Sequence, residues 1–340
     1  MNRALLTPLR PELALPPPRG PISAWVLDLL AGRPAGAPPE VWAADPIGDD
    51  AQLALYLAYE LHYADLPGVA ADLEWDIRLL DVRAQLEDAF ECWLRHRAGI
   101  VCAHAGVDLR AIRPADVVAA VHRLLDADDG PSISRLIEVD GTREQLRDVV
   151  RCRSAYQRKE ADPHTFGIPR LRGRAKQLLA EIQAGEYGAD ADDRVMHADL
   201  FARTMAALDL DDRPNALLAE LPVAAFALSN TISLLGLHRR LRGALVGHLV
   251  AFEMTSVVPM GRYASACERL DLGEDARRFY DVHVLADAEH EVLAAEMATA
   301  FADDEPHLAG DVVLGAAIAI VTEHVVTEQL LDHWTRRASA

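Results

Sequence analysis

Paired cysteines, positive charge and long apolar runs are all scarce in this sequence. Its four cysteines are widely spaced and form no CxxC pair, so neither a zinc ribbon nor a dithiol redox motif is indicated, and we expect reduced thiols. The chain has 34 Lys and Arg against 53 Asp and Glu, a formal net charge of −19. Since phosphates are bound chiefly by Lys and Arg, this balance disfavours nucleic acid and anionic membranes as partners and leaves cationic or neutral small molecules.

No apolar run in the sequence approaches the roughly 20 residues that a membrane span needs. The N-terminal stretch MNRALLTPLRPELALPPPRGP is interrupted by prolines before it reaches the length of a signal-peptide apolar region. We therefore expect a soluble, cytoplasmic protein.

Convincing strand patterns are also missing. From about Asp50 onward, apolar residues recur three and four positions apart between turn signals, as in AQLALYLAYELHY and PADVVAAVHRLLDA, which is typical of amphipathic helices. Hydrophobic residues make up 51% of the 340 residues, enough to bury a sizeable core. The sequence thus predicts an all-α globular fold without internal repeats.

The N-terminal 45 residues have a different character. Nine of the 19 prolines precede residue 40, and proline disfavours helix both by its fixed φ and through the residue before it. This segment is predicted to be a Pro-rich arm. The middle of the arm is apolar, with Trp25, Val26, Leu29 and Leu30. We expect it to pack on the body of the chain or on a partner subunit, and a short helix over the core is the favoured interpretation.

We divide the rest of the chain into auxiliary helices at 46–150, which pack on the core, and the core itself at 151–340. The later helices are predicted at about 171–187, 197–208, 214–237, 239–256, 259–270, 274–299 and 309–335. Gly188 and the run ADADD are expected to end the first of these and Pro259 the fourth, while Gly273 separates the fifth from the sixth.

One helix of the predicted core carries a distinctive polar pattern. In FYDVHVLADAEHEVLAAE, His283, Asp287 and His290 follow one another at intervals of four and three residues. At 100° per residue they fall within a sector of about 60°, whereas Glu289 lies on the other side of the helix. Three side chains that can bind a metal therefore point at one spot.

The same sector overlaps the apolar stripe formed by Val284, Leu293 and Met297, which directs the three polar side chains into the protein. Buried ionisable groups are costly unless they are paired or bind a metal. A solvent-facing His/Asp surface or a buried His–Asp hydrogen bond is the alternative interpretation, and the triplet alone does not decide between them.

Further residues of metal-binding type lie in neighbouring helices. Glu253 stands in the apolar segment GALVGHLVAFEMTS, where it is either exposed or a ligand facing the bundle centre. Glu186 and His197 flank the glycine-interrupted turn in EIQAGEYGADADDRVMHADLF, and Glu181, one turn earlier, could replace Glu186. With the triplet, these residues supply three carboxylates and three imidazoles.

Such a mixture suits a pair of first-row metal ions, because carboxylates can bridge two cations and imidazole favours iron over magnesium or calcium. Two irons are the first choice, and an Fe/Mn pair also fits the ligand types. A single zinc would leave several of the ligands without a purpose. The pattern differs from the duplicated Glu-x-x-His motif of ferritin-type bundles.

The ordered series Glu, His, Glu, then His-xxx-Asp-xx-His resembles the heme-oxygenase-like diiron oxidases and oxygenases, also called iron-containing redox enzymes. In this chain the series is Glu186, His197, Glu253, His283, Asp287 and His290. The stretches SAYQRKEADPHTFGIPRLRGRAKQLLAEIQAGEYG and LLGLHRRLRGALVGHLVAFEMTSVVPMGRYA also look like this family, so the resemblance extends from about Arg153 to Trp334. The interval between Glu186 and His197 is longer than in compact members.

The resemblance implies a seven-helix, heme-oxygenase-like bundle, here with additional N-terminal helices, that holds two ferrous ions through these six residues, uses O2 and depends on an external reductant. Members oxidise an amine nitrogen to the hydroxylamine or nitro level, or perform desaturation, oxidative decarboxylation or C–C bond cleavage. We expect N-oxygenation of a small amine or amino acid, with the other oxidations as the alternative. The family also implies a homodimer. A metal-free helical binding module is the hypothesis from another class.

Two other polar features are candidates for substrate contact. His164, in ADPHTFGIPR, lies between two prolines before the first ligand helix, where an ordinary loop residue is the simpler interpretation. The basic run His238, Arg239, Arg240 and Arg242 could bind a substrate carboxylate, although pairing with acidic neighbours at a helix end explains it more simply.

Overall fold

The computed structural model describes residues 13–64, 66–189 and 194–339. Over these residues the regular structure is entirely helical, with no β-strand, so the predicted all-α class is confirmed. The first twelve residues of the predicted arm and residues 190–193 of the run ADADD lie outside the described part. All four cysteines are free thiols, as expected.

Loops and 3-10 turns of different lengths connect the α-helices. Their bounds are α1 Pro21–Leu30, α2 Asp49–Glu60, α3 Ile77–His104, α4 Val117–Ala127, α5 Ile133–Val139, α6 Arg143–Gln157, α7 Asp162–Thr165, α8 Gly173–Glu186, α9 His197–Ala207, α10 Val223–Leu237, α11 Arg242–Arg269, α12 Glu274–Asp304 and α13 Ala309–Ala338.

The helix α1 covers the core, as the short-helix interpretation of the arm predicts, and its apolar residues are buried. The N-cap residue of α1 is Gly20, which has no side chain to accept hydrogen bonds from the first backbone N–H groups of the helix. Instead, the Asp50 carboxylate of α2 accepts hydrogen bonds from the backbone N–H groups of Ile22 and Ser23 at 2.9 and 2.7 Å. A carboxylate at this place satisfies helix N–H groups that would otherwise lack partners, and it fastens α1 to α2.

The helices before α6 pack on the later ones. α2 lies against α1, α3 and α10, the 28-residue α3 lies along α13, and α5 packs on α11. Their buried apolar side chains join the same hydrophobic cluster as those of α10 to α13. This packing on the later helices is what auxiliary helices would show. The division of the chain into arm, auxiliary helices and core stays a prediction.

The helix α11 packs along both α12 and α13, and it crosses α13 with the two backbones in contact. A Cβ atom added at Gly247 would lie 1.7 Å from the carbonyl oxygen of Val312, and one added at Gly315 would lie 1.9 Å from that of Ala244. Only glycine fits at these two positions. The crossing therefore fixes the depth of α11, and with it the place of Glu253, in the core.

The predicted helix break at Pro259 is wrong. α11 runs without interruption with Pro259 inside it, so the helices predicted at 239–256 and 259–270 are one. Proline lacks the N–H that would bond the Thr255 carbonyl, and it costs about 3 kcal/mol or more in a helix interior. Buried side chains on both sides of Pro259 hold the two halves in line and offset this cost.

The helix predicted at 214–237 begins later, at Val223. Asn215 has a φ of 62°, in the left-handed region, and its Oδ1 accepts a hydrogen bond from the Tyr56 hydroxyl at 2.7 Å. Pro222 in addition disfavours helix in the residue before it. Residues 214–220 form turns instead. The other core helices begin and end within a few residues of their predicted positions.

Two segments are long and apolar enough to cross a membrane by length and composition, contrary to the expectation that no run approaches a span. They are Arg239–Arg269 and Pro306–Ala338. Of the most apolar 18 residues in each segment, 56% are buried inside the fold in the first and 72% in the second. The core helices of a soluble protein pass the same test, so these segments are weak evidence for a membrane.

Candidate metal centre

All six side chains singled out as candidate ligands are buried. Their exposed fractions lie between 1% and 7%, so the solvent-facing alternatives are wrong both for the triplet on α12 and for Glu253. Glu289 is exposed, as predicted, and Glu181 is exposed too. Glu181 is therefore not placed to replace Glu186.

Four helices supply these side chains. Glu186 is the last residue of α8 and His197 the first of α9, whereas Glu253 lies inside α11 and the triplet inside α12. α12 packs against α8, α9 and α11, which brings the side chains together. The long interval between Glu186 and His197 does not separate them, since His197 Nδ1 lies 2.9 Å from Glu186 Oε2.

The potential ligand atoms form two groups that share Glu186, and within each group they lie within 4.8 Å of one another. The members are Glu160, Glu186, His197 and His283 in the first group and Glu186, Glu253 and His290 in the second. Glu186 Oε2 is the oxygen beside His197, while Oε1 lies 3.6 Å from His290 Nδ1. One carboxylate thus presents an oxygen to each group, as a bridging ligand would.

Asp287 lies beside the second group. Its Oδ1 is 3.7 Å from His290 Nδ1, and Glu253 Oε2 is 3.5 Å from the same nitrogen. These separations are too long for good hydrogen bonds. His290 Nδ1 is therefore surrounded by carboxylate oxygens without being hydrogen-bonded to any of them.

The first group contains a carboxylate that the sequence analysis missed. Glu160 is buried, with Oε2 3.5 Å from His283 Nε2, and it lies in the turn after α6 and not in a helix. A signal for it exists in the spacing, because Arg153, Tyr156 and Glu160 follow one another at three and four residues and line one cavity. The interior stripe of α6 thus continues into the turn.

His283 is held in a defined orientation by its own helix. Its Nδ1 donates a hydrogen bond to the backbone carbonyl of Phe279 at 2.8 Å. An imidazole that ligates a metal usually donates its other N–H in this way. The bond leaves Nε2, which faces Glu160, free to bind a metal.

Several atoms of the cluster are buried and have no hydrogen-bond partner among the described residues. They are Glu160 Oε2, Asp287 Oδ1, Asp287 Oδ2 and His290 Nδ1. Leaving one buried polar atom unsatisfied costs about 1–3 kcal/mol, and more for a charged group. Cations between these carboxylates and imidazoles would satisfy all four atoms, and the mixed oxygen and nitrogen donor set suits iron.

The protonation equilibria of the cluster are strongly perturbed. Burial disfavours charge on His290, but Asp287 and Glu253 outweigh burial and raise its pKa to about 10. Burial raises the pKa of Glu253 to about 7 against the opposing effect of His290. Burial also opposes ionisation of Glu186, yet His197 lowers its pKa to about 2. Glu186 is thus ionised at neutral pH, as a bridging ligand has to be.

Metal binding is expected to release protons. In the metal-free protein at pH 7, His290 with its pKa of about 10 is protonated and Glu253 at about 7 partly so, whereas a ligand has to be deprotonated. The apparent Fe(II) affinity should therefore rise with pH, by about tenfold per unit for each proton displaced. Anaerobic calorimetric titration in two buffers of different ionisation enthalpy measures the protons released, and an affinity independent of pH between 6 and 8 would contradict the prediction.

A cavity of about 390 Å³ adjoins the cluster. Five of the candidate ligand side chains line it, and so do residues of the exposed loop between α4 and α5. Aromatic side chains complete the wall: Tyr156, Phe201, Phe252, Tyr263 and Tyr280. The candidate metal ligands thus share one cavity with a loop at the protein surface.

His164 is a wall residue of this cavity and belongs to neither ligand group. Its Nε2 lies 3.3 Å from His248 Nδ1, and both imidazoles are buried. Burial lowers the pKa of His164 to about 4 and that of His248 well below its usual value. The pair is therefore uncharged at neutral pH.

The basic run at 238–242 lies elsewhere. None of its residues lines the cavity, and Arg240 and Arg242 form ion pairs with Glu91 and Glu305. Pairing with acidic neighbours thus explains the run, as the simpler interpretation predicts.

The fold and the site define an all-α protein whose interior can hold metal ions through histidine and carboxylate side chains. The model of a protein family described as iron-containing redox enzyme matches residues 147–324, which is more than half of the 340 residues. The chain belongs to this family, which confirms the resemblance, and it is an iron-binding oxidoreductase. The matched range contains all members of both ligand groups. No curated protein matches the chain.

Proposed function

We propose that the chain is a non-heme diiron oxygenase that uses O2 to oxidise a small amine or amino acid, with N-oxygenation to the hydroxylamine or nitro level as its reaction. The observation that carries this proposal is the pair of ligand groups joined by Glu186 at the buried end of the cavity. A carboxylate with one oxygen toward each group suits two cations better than one, and the family is described by its iron.

In this proposal each ligand group would hold one iron, and Asp287 would join the second group. One ion would be held by Glu160, Glu186, His197 and His283, and the other by Glu186, Glu253, Asp287 and His290. Ferrous iron bound there would supply the electrons that activate O2, and an external reductant would restore the ferrous state. The rest of the site is supplied by the side chains around the ligands.

These side chains keep the site dry and favour a cationic substrate. The rings of Tyr156, Phe201 and Phe252 line the wall and exclude water, which protects reactive species from side reactions. The uncharged pair of His164 and His248 adds no positive charge to this wall. Six Asp and Glu side chains line the cavity against one arginine, so it attracts an amine more than an anion, which supports nitrogen as the oxidised atom.

Iron content and product mass together test the proposal. Anaerobic loading is expected to give two irons per chain, one for each ligand group, and mixing with O2 a transient visible absorption band. Incubation with lysine and related amines under O2 should give products that have gained oxygen, as read by mass spectrometry. Loss of hydrogen or carbon would instead indicate desaturation, decarboxylation or C–C bond cleavage. Fewer than one iron per chain would favour the metal-free binding module.

We further propose that the protein is a soluble, cytoplasmic homodimer. The two segments of membrane-spanning length are mostly buried within the fold, which supports solubility, and the dimer rests on the resemblance to the family. Light scattering of the purified protein should give a mass twice the 37.1 kDa of one chain. A mass of one chain at micromolar concentration would contradict the dimer.

A further inference from the structure

An ion pair stands in the wall of the cavity that adjoins the metal cluster. Arg153 of α6 donates two hydrogen bonds to the Glu323 carboxylate of α13, from Nη1 to Oε1 at 2.6 Å and from Nη2 to Oε2 at 2.5 Å. Both residues line the cavity, and their side chains are 21% and 36% exposed. Among the described residues that line the cavity, Arg153 is the only arginine or lysine.

The pair is linked along the chain to both the candidate metal ligands and the exposed loop. Tyr156 follows Arg153 by three residues and Glu160 by seven, and all three line the cavity. On the other side, His324 next to Glu323 bonds Asp128 of the loop after α4 at 2.8 Å.

The position of this pair distinguishes it from the other ion pairs of the fold. A partly exposed ion pair contributes little to stability, so a brace between α6 and α13, which contact each other, does not by itself call for charges at this place. Here the two charges face a cavity whose other lining side chains are carboxylates, imidazoles, aromatic rings, small polar groups and aliphatic residues such as Val149, Val150 and Leu249. Their placement therefore points to a ligand.

A guanidinium beside a carboxylate matches the two charges of an α-amino acid. The planar guanidinium can bind a carboxylate through two parallel hydrogen bonds, and the Glu323 carboxylate can bind an ammonium group. When an amino acid enters, each side chain exchanges its present partner for the opposite charge of the ligand, so no charge is left unpaired. Tyr263 lines the same cavity, and burial raises its pKa to about 12, so its hydroxyl keeps the proton that it can donate.

We propose that Arg153 and Glu323 anchor an α-amino acid, with Arg153 on its carboxylate and Glu323 on its ammonium group, and that a long side chain ending in nitrogen extends along the cavity to the metal cluster. The choice of nitrogen as the far end rests on the proposed function. The anchor itself does not require iron. The chemical class is that of L-lysine, L-ornithine and L-arginine, which differ from simple amines by the α-carboxylate.

Equilibrium binding to the whole protein tests the anchor, with and without anaerobic Fe(II). L-lysine, L-ornithine and L-arginine are titrated by calorimetry beside cadaverine, putrescine and agmatine, which lack the carboxylate. At least one amino acid is expected to bind, and its decarboxylated counterpart at least about tenfold more weakly, which is ~1.4 kcal/mol. If none of the three amino acids binds, or if the amine binds as tightly as its amino acid, the proposal is overturned.

A double variant removes both charges and leaves none unpaired. Arg153→Met with Glu323→Gln should weaken amino-acid binding at least about tenfold, while circular dichroism and the number of irons bound stay those of the parent chain. Arg153→Lys keeps the charge but loses the two-pronged geometry, so it should bind with intermediate affinity. Undiminished binding by the folded double variant would overturn the proposal.

A matched control is available outside the cavity. Arg242 and Glu305 form an ion pair whose side chains are 17% and 22% exposed, and neither lines the cavity. Arg242→Met with Glu305→Gln should leave amino-acid binding unchanged. If the Arg153 double variant does not fold, the proposal is tested on the parent chain alone, by comparing the affinity for each amino acid with the affinity for its decarboxylated amine. Iron binding is measured separately, so that a failure of the diiron proposal and a failure of the anchor are told apart.

Discussion

Replacing Glu186 with alanine is expected to reduce bound iron from the proposed two per chain to fewer than one and to lower turnover by more than about a hundredfold. Loss of a group that merely orients a ligand costs about 10–100-fold in metal affinity or activity. Glu186 belongs to both ligand groups, with one oxygen beside His197 and the other toward His290, so its loss should exceed that range. Iron analysis of the anaerobically loaded protein and product mass spectrometry measure the two effects.

The matched control for this variant is Glu181→Ala. Glu181 lies in the same helix, α8, but is exposed, so its replacement should leave both iron content and turnover as they are. A Glu186→Ala protein that keeps two irons would show that Glu186 bridges nothing. In that case either the two ligand groups bind metal independently of each other, or neither group is a metal site.

Replacing Gly247 with alanine should destabilise the protein by more than about 3 kcal/mol, beyond the usual range for overpacking. The added Cβ atom would lie 1.7 Å from the carbonyl oxygen of Val312, which belongs to the backbone of α13 and cannot move aside like a flexible side chain. The helix-propensity gain from glycine to alanine, about 1 kcal/mol, is too small to offset such an overlap. Urea unfolding followed by circular dichroism measures the change.

Gly261→Ala, on the same helix, separates the overlap from the general effect of a new methyl group. The nearest atom to a Cβ added there is Val284 Cγ2 at 3.8 Å, an ordinary contact. This variant should be neutral or more stable by about 0.5–1 kcal/mol. If both variants unfold at the same urea concentration, the close crossing of α11 and α13 is not as tight as described.

Local sequence signals were sufficient for most core helices and failed where distant packing outweighs them. Gly188 and Gly273, with φ values of 78° and 82°, are the kind of residue that ends or precedes a helix, and α8 ends and α12 begins close to them as predicted. Pro259 is the opposite case, because its cost is local while the buried contacts that offset it come from α12 and α13. A single sequence does not display those contacts.

The candidate site was predictable in its residue types but not in its full membership. His283, Asp287 and His290 share a face through helix geometry alone, and Glu253 stands out in an apolar segment. Glu160 was missed because it lies in a turn beyond the end of α6, where the helical spacing of the interior side chains is not expected to continue. The double contact of Glu186 depends on the packing of α8, α9 and α12, so it could be seen only in three dimensions. The roles of these residues as ligands stay predictions until iron is bound.

The hydrogen bond from His283 Nδ1 to the carbonyl of Phe279 stays within one helical turn. Its acceptor is a main-chain atom, so a substitution at position 279 alters the packing around the ring but leaves the acceptor in place while the helix persists. Where a carboxylate side chain holds a ligand histidine, a single point mutation can switch the tautomer. In this protein, evolution can reshape the surroundings of the imidazole while the same nitrogen, Nε2, stays available to a metal.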